Sequence, residues 1–186
     1  MNRKKLMVLA CCLAVVFSFG AVALAAESEP KVGQSVGNVT FPPPLSQEDA
    51  NYLGLTRMDA FSLQEIKSPY VLVEQFNANC PYCMAQAPVL NNLYTMVQQD
   101  AALKTKLKFL AVGQNNDENA VRIWKAFHKV PFPVLPDTVS TFGKALNFSA
   151  YPLTLVLDRS GRILFVHVGV FENAAEVLKG IKAVVK

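Results

Sequence analysis

The chain is poor in the residues that build metal centres and stapled scaffolds. It has four cysteines and two histidines in 186 residues. Cys11 and Cys12 fall in an apolar leader, which leaves Cys80 and Cys83 for an exported chain. A disulfide-framed scaffold needs more pairs than that. One pair enclosing two residues also adds little chain-entropy stabilisation, because that contribution grows with loop length. The pair reads first as chemical, with a structural disulfide as the plain alternative. A zinc site needs four ligands, and His128 and His167 lack the usual histidine spacing. A c-type haem site needs histidine after the second cysteine, where this chain has Met84. No cofactor and no metal site is implied, and there is no internal repeat or low-complexity block.

Charge is also scarce. The formal net charge is +4, with 17% charged residues. Arg3, Lys4 and Lys5 lie in the basic start of the leader, and their removal takes the charge to +1. Nothing then suggests nucleic acid or an acidic partner. Leu6 to Ala26 carries no charge and ends in Ala23-Leu24-Ala25. A basic start, an apolar stretch and a small-residue site read as a secretory signal peptide over residues 1–25, cut after Ala25. An uncleaved membrane anchor is the alternative, since about 20 apolar residues span a bilayer. A lipoprotein reading of Val8-Leu9-Ala10-Cys11 fits less well, because the apolar run continues past Cys11.

What the chain does have is one dense stretch, Asn79-Cys80-Pro81-Tyr82-Cys83-Met84. An apolar run, Tyr70 to Phe76, precedes it and contains a single acid, Glu74. Ala85, Val89, Leu90, Leu93, Tyr94 and Val97 follow at helical spacing. A strand therefore runs into a dithiol, and the dithiol opens a helix.

Residues 26–45, rich in proline, read as a linker or extended lead-in. Residues 46–186 then form one domain. Ser46 begins a short helix that runs to Leu53, and Leu55 to Ile66 suits a strand or short hairpin. Val71–Phe76 and Lys108–Gly113 are expected as buried strands. Cys80–Gln99 is a helix with Pro88 inside, expected to kink it. Glu118–Lys129 is an amphipathic helix with Val121, Ile123, Trp124 and Phe127 inward. Phe132–Pro136 is a proline-bounded strand near an edge. Thr138–Leu146 is a helix, Leu153–Leu157 and Ile163–Val168 form a hairpin, and Asn173–Val185 is a closing helix. The order predicts an α/β domain with a mixed central sheet flanked by helices.

The thiolate is the nucleophile of thiol chemistry, and a helix N-terminus favours negative charge. Pro81 sits where a missing N–H costs nothing. Cys83 lies one turn along on the same face. Cys80 is the candidate exposed nucleophile and Cys83 the buried resolving thiol. An acid in an otherwise apolar strand has a raised pKa, so Glu74 is a candidate acceptor for the Cys83 proton through a water. The alternative is a glutamate turned to solvent. Tyr82 is a candidate contact for partners, while Trp124 and the methionines read as core.

These residues resemble the thioredoxin-fold superfamily, and within it the exported TlpA/ResA/DsbE-like thiol-disulfide oxidoreductases. The resemblance covers about residues 52–186. It rests on Val71-Leu72-Val73-Glu74 before Cys80-Pro81-Tyr82-Cys83, on Pro88 five residues past Cys83, and on Tyr151-Pro152-Leu153-Thr154-Leu155. Pro152 follows Cys83 by 69 residues, which leaves room for an inserted strand-helix unit. The resemblance implies a thioredoxin fold with that insert and an N-terminal extension, a redox disulfide Cys80–Cys83, and a cis peptide at Tyr151-Pro152 against it. Tyr151 and Pro152 would bind substrate. It also implies protein thiols and disulfides as partners, with apocytochrome c or a membrane electron donor among them. Asn79 and Phe76 stand where the family usually has tryptophan, and Pro-Tyr between the cysteines is more typical of glutaredoxins. Periplasmic reduction of partners is the leading reading, and a disulfide-forming oxidase is the first alternative. A thiol peroxidase would need a threonine where Asn77 stands. A copper-handling protein would pair the thiolates with His167.

Overall fold

A computed structural model describes residues 27–186. The proposed leader, with Cys11 and Cys12, lies outside the described residues. No helix among the described residues is long and apolar enough to cross a membrane.

The central sheet has five strands: β3 (Tyr70–Phe76), β4 (Leu107–Gln114), β5 (Val134–Asp137), β6 (Leu153–Asp158) and β7 (Ile163–Val168). Their order in space is β5-β4-β3-β6-β7. β3, β4 and β5 run parallel, while β6 and β7 are antiparallel to their neighbours. β3 is central and apolar on both faces, as a covered strand must be. Leu72 and Phe76 join one buried cluster, and Val71 and Val73 the other.

The first cluster packs under α2 (Pro81–Gln99), α3 (Glu118–Phe127) and α5 (Ala174–Val184). The second packs under α1 (Gln47–Leu53), α4 (Thr141–Leu146) and a small hairpin of β1 (Thr40–Phe41) with β2 (Phe61–Ser62). Ser46 caps α1 by accepting the Asp49 N–H at 3.0 Å. Gly54 ends it at φ 75°, a left-handed position that favours glycine. Asp117 and Asn173 cap α3 and α5 in the same manner as Ser46. A three-residue 3₁₀ turn, Leu63–Glu65, leads from β2 toward β3.

The proline-rich stretch, expected as a linker or extended lead-in, packs on the domain over its described residues 27–45. Gly33 and Val36 donate backbone hydrogen bonds to Ile163 and Gly161, and Val36, Val39 and Phe41 are buried. Apolar residues between the prolines give this segment something to bury, so it lies against the β6–β7 turn. The expectation for α3 needs correction. Val121 and Trp124 face inward, but Ile123 is 61% exposed and Phe127 78%. The helix covers the edge strand β5, and an edge gives it a narrow contact stripe. Residues three apart, 121 and 124, fill that stripe. Ile123 is turned away, and Phe127 ends the helix beyond it.

Candidate active site: a dithiol above a buried carboxyl

Strand β3 ends at Phe76, and three residues carry the chain to the first turn of α2. Those residues are held from both sides. Asn77 Nδ2 donates to the Gln114 carbonyl at 2.8 Å, and its Oδ1 accepts the Asn79 N–H at 2.9 Å. The Ala78 N–H donates to Asn116 Oδ1 at 2.8 Å. An asparagine before a turn readily accepts a backbone N–H two residues on. Asn116 is buried beyond β4, 38 residues further along the chain.

Cys80 is the N-cap of α2, with Pro81 at its first position. Its sulfur accepts the Cys83 N–H at 3.3 Å. Cys80 is not the exposed residue that the sequence predicts: it is only 8% exposed, because the cap turn and the Tyr151 backbone close over it, and Cys83 is buried beneath it. On the opposite side Cys80 Sγ lies 3.9 Å from the Tyr151 carbonyl. The Tyr151-Pro152 peptide is cis. The backbone just before it is tied to β3 by Gln75 Nε2, which donates to the Ala150 carbonyl at 3.0 Å. Both cysteines are free thiols here. Tyr82 is highly exposed beside the pair, and Pro88 lies within α2, where it leaves the Met84 carbonyl without its usual donor.

Alternation along β3 turns Glu74 to the α2 face with Leu72 and Phe76. Its cross-strand neighbours are Ala111 and Thr154. It is 3% exposed, so it does not point to solvent. The Thr154 hydroxyl donates to its carboxylate. Gln86 Nε2 reaches Thr154 Oγ1 at 3.5 Å, while Gln86 Oε1 accepts the Phe171 N–H at 2.8 Å. Burial pushes the Glu74 carboxyl up to about 8, against the hydrogen bonds from Thr154 and Gln86 that favour its charged form. Burial likewise pushes the Cys83 thiol well above its usual range, and the Cys80 thiol and the Glu74 charge add to that. A small cavity of about 20 Å³ lies between Glu74, Cys83, Gln86 and Trp124. That is room for one water.

The histidines lie elsewhere. His167 is on β7, 4.7 Å from the Phe171 ring, and His128 ends α3 against Trp124 at 4.0 Å. Among the described residues no three histidine, cysteine or acidic side chains come together as a metal site. Sequence reasoning missed Asn116, Gln86 and Thr154. Asn77, in the sequence only the residue that stands where a peroxidase has threonine, carries a signal in the turn chemistry of asparagine.

A mixed five-stranded sheet with a dithiol on the helix after its central strand is a thioredoxin-like fold. The Redoxin family profile matches residues 31–182, and the chain belongs to that family. It is 31% identical over 111 residues to the thioredoxin-like protein YneN of Bacillus subtilis, covering 58% of this chain and 61% of that one. It is 22% identical over 111 residues to the thiol-disulfide oxidoreductase ResA of Halalkalibacterium halodurans, covering 60% of each. The match thus spans about three fifths of the length of these curated relatives. The structure of a thiol:disulfide interchange protein DsbE from Chlorobium tepidum superposes with a TM-score of 0.64 at 16% identity, over 84% of this chain and 99% of that one.

Proposed function

We propose that this protein is an exported thiol-disulfide oxidoreductase that works as a reductant of protein disulfides. The observation that carries the reading is the stacking of three groups: Cys80 at the start of α2, Cys83 beneath it, and Glu74 beneath both. Residues 1–25 direct export to the periplasm and are removed, and residues 26–45 lead into the domain that follows.

The Cys80 thiolate attacks one sulfur of a partner disulfide. A mixed disulfide forms, and the partner's other sulfur leaves as a thiolate and takes up a proton. Cys83 then passes its proton through the water-sized cavity to Glu74 in its ionised form, the minor form below about pH 8 that grows as pH rises, and attacks Cys80 Sγ. The partner's second sulfur leaves, a Cys80–Cys83 disulfide forms, and two electrons have passed to the partner. Tyr151 offers its backbone beside Pro152 to an extended partner segment, and Tyr82 meets the partner from the helix side.

Electrostatics supports the reductant reading. A dithiol becomes oxidising when its thiolates are stabilised, because that favours the reduced form. Here the resolving thiol is buried beside a carboxyl, and the cavity lining of Glu74, Gln86 and Trp124 contains no cation. That leaves Cys83 as a thiol, without the thiolate stabilisation that makes a dithiol oxidising. Apocytochrome c thiols are a partner class that the family resemblance implies, and a membrane electron donor would restore the dithiol.

The test is the reduction potential of the pair against glutathione or dithiothreitol. A value near about −270 mV or lower is expected, and one near about −120 mV would make the protein an oxidant. A Cys83→Ser variant cannot resolve the mixed disulfide, so it is expected to hold its partner covalently through Cys80 for identification.

A further inference from the structure

The structure leaves seven large apolar side chains exposed among the described residues. Three of them line one groove at the dithiol end of the molecule: Met84 on the first turn of α2, and Ile123 and Phe127 on the outward side of α3. Single exposed apolar residues are ordinary, but a contiguous patch marks a contact surface. Between the two helices runs a groove of about 440 Å³, lined by Ala78, Asn79, Met84, Ile123, Phe127 and His128 among others.

The groove offers little to a charged guest. Its carboxylate, Asp117, is engaged in capping α3 through the Ala120 N–H at 2.8 Å. His128 packs tilted against the Trp124 ring at 4.0 Å and edge-on to Phe127 at 4.9 Å, and burial pushes it below its ordinary value, which favours the neutral form. Met84 adds a flexible, polarizable wall that adapts to different apolar shapes. The groove is also continuous with the dithiol turn, since Asn79 and Met84 bracket Cys80 to Cys83. Positions 80 and 84 are about 6 Å apart on a helix, about two residues of extended chain.

We propose that this groove selects the partner. It takes a bulky apolar side chain, aromatic or large aliphatic, two or three residues from the partner cysteine that bonds to Cys80. The proposal rests on the thiol-disulfide exchange reading above and names the substrate class for that same site. It puts recognition on the α3 side, where exposed Ile123 and Phe127 do no work for folding.

The experiment uses disulfide-linked homodimers of a six-residue peptide with one cysteine, carrying either Phe or Ser two residues to each side of it. The reduced protein converts each dimer to two peptide thiols while Cys80 and Cys83 become a disulfide, and the thiols are counted by chromatography. Every rate is divided by the same protein's rate with hydroxyethyl disulfide, which has no side chain to fill the groove. The Phe dimer is expected to react about tenfold faster than the Ser dimer, in line with one apolar group filling a pocket. The Ile123→Ser/Phe127→Ser double variant is expected to bring that ratio close to one. A wild-type ratio of one, with hydroxyethyl disulfide reduced normally, overturns the groove and leaves the exchange reading standing. An unchanged ratio in the double variant overturns it too, as does a wild-type dimer that this variant converts to monomer with peptide preference intact, since the occupant is then a second copy. No exchange with any of the three disulfides overturns the exchange reading itself.

Discussion

Replacing Glu74 by Gln should remove a large pH dependence of stability. In the folded protein burial raises this carboxyl from an ordinary 4.5 to about 8. Across that window the folded state holds a proton that the unfolded chain has released. Stability therefore falls as pH rises from 4.5 toward 8 and levels off above it. Each unit of difference corresponds to about 1.4 kcal/mol. Integrated between pH 5 and pH 8, the loss is about 3–4 kcal/mol. For a chain of this size that lowers Tm by about 7–15 °C. Water entry and local relaxation reduce the figure, but half of it is still easily measured.

The assay is urea or thermal unfolding of the reduced protein at pH 5 and pH 8, for the wild type and Glu74→Gln. His128 also titrates in this range with the opposite sign. Its folded value is below the ordinary 6.5, so it contributes stability that is lost as pH falls. Comparing the two proteins cancels that contribution. The variant keeps an oxygen to accept the Thr154 hydroxyl but has no proton to lose. Its profile is expected to rise or stay flat from pH 5 to 8 while the wild type declines. Parallel profiles, agreeing within about 0.5 kcal/mol, would refute the claim that this carboxyl is protonated because it is buried.

Two further substitutions test how the site is held. Gly113→Ala adds a Cβ that would sit 2.6 Å from Val121 Cγ1 and 3.1 Å from Asn116 Cβ, so α3 must move off β4; a loss of about 1–3 kcal/mol in urea unfolding is expected, and a change below 0.5 kcal/mol would show that the helix yields freely. Asn116→Ala removes the acceptor of the Ala78 N–H, with an expected loss of about 1–2 kcal/mol and slower reduction of hydroxyethyl disulfide, since the turn carrying Cys80 loses its anchor.

The sequence was most informative where one residue type has one physical use. Cysteines at positions 80 and 83 with proline between them mark a helix start, because proline is tolerated there and few other places in a helix. A lone acid inside Tyr70–Phe76 marks a buried carboxyl, because strand alternation must turn it to one covered face. The partners of that carboxyl were illegible. Thr154 and Gln86 look like ordinary strand and helix residues, and only the antiparallel register of β3 with β6 sets Thr154 opposite Glu74. Asn116 was hidden for the same reason, since its bond to Ala78 spans 38 residues. The proline-rich stretch before Leu45 left a linker and an extended lead-in both open. Proline denies a segment regular structure but does not prevent it from burying Val36, Val39 and Phe41.

The error over α3 is the most useful, because periodicity alone would have buried Ile123 and Phe127. Every apolar position on an amphipathic helix invites the assumption that it faces the core. How many can do so depends on the width of the surface beneath, and α3 lies over the last strand of its sheet. A helix at an edge has room for one stripe, here Val121 and Trp124. Bulky apolar residues outside that stripe lower solubility and add nothing to the core. Ile123 and Phe127 line the same groove as Met84 and Asn79, beside a thiol that is itself only slightly exposed. What reads in the sequence as one more core helix leaves, by its exposure, an apolar groove beside the dithiol turn.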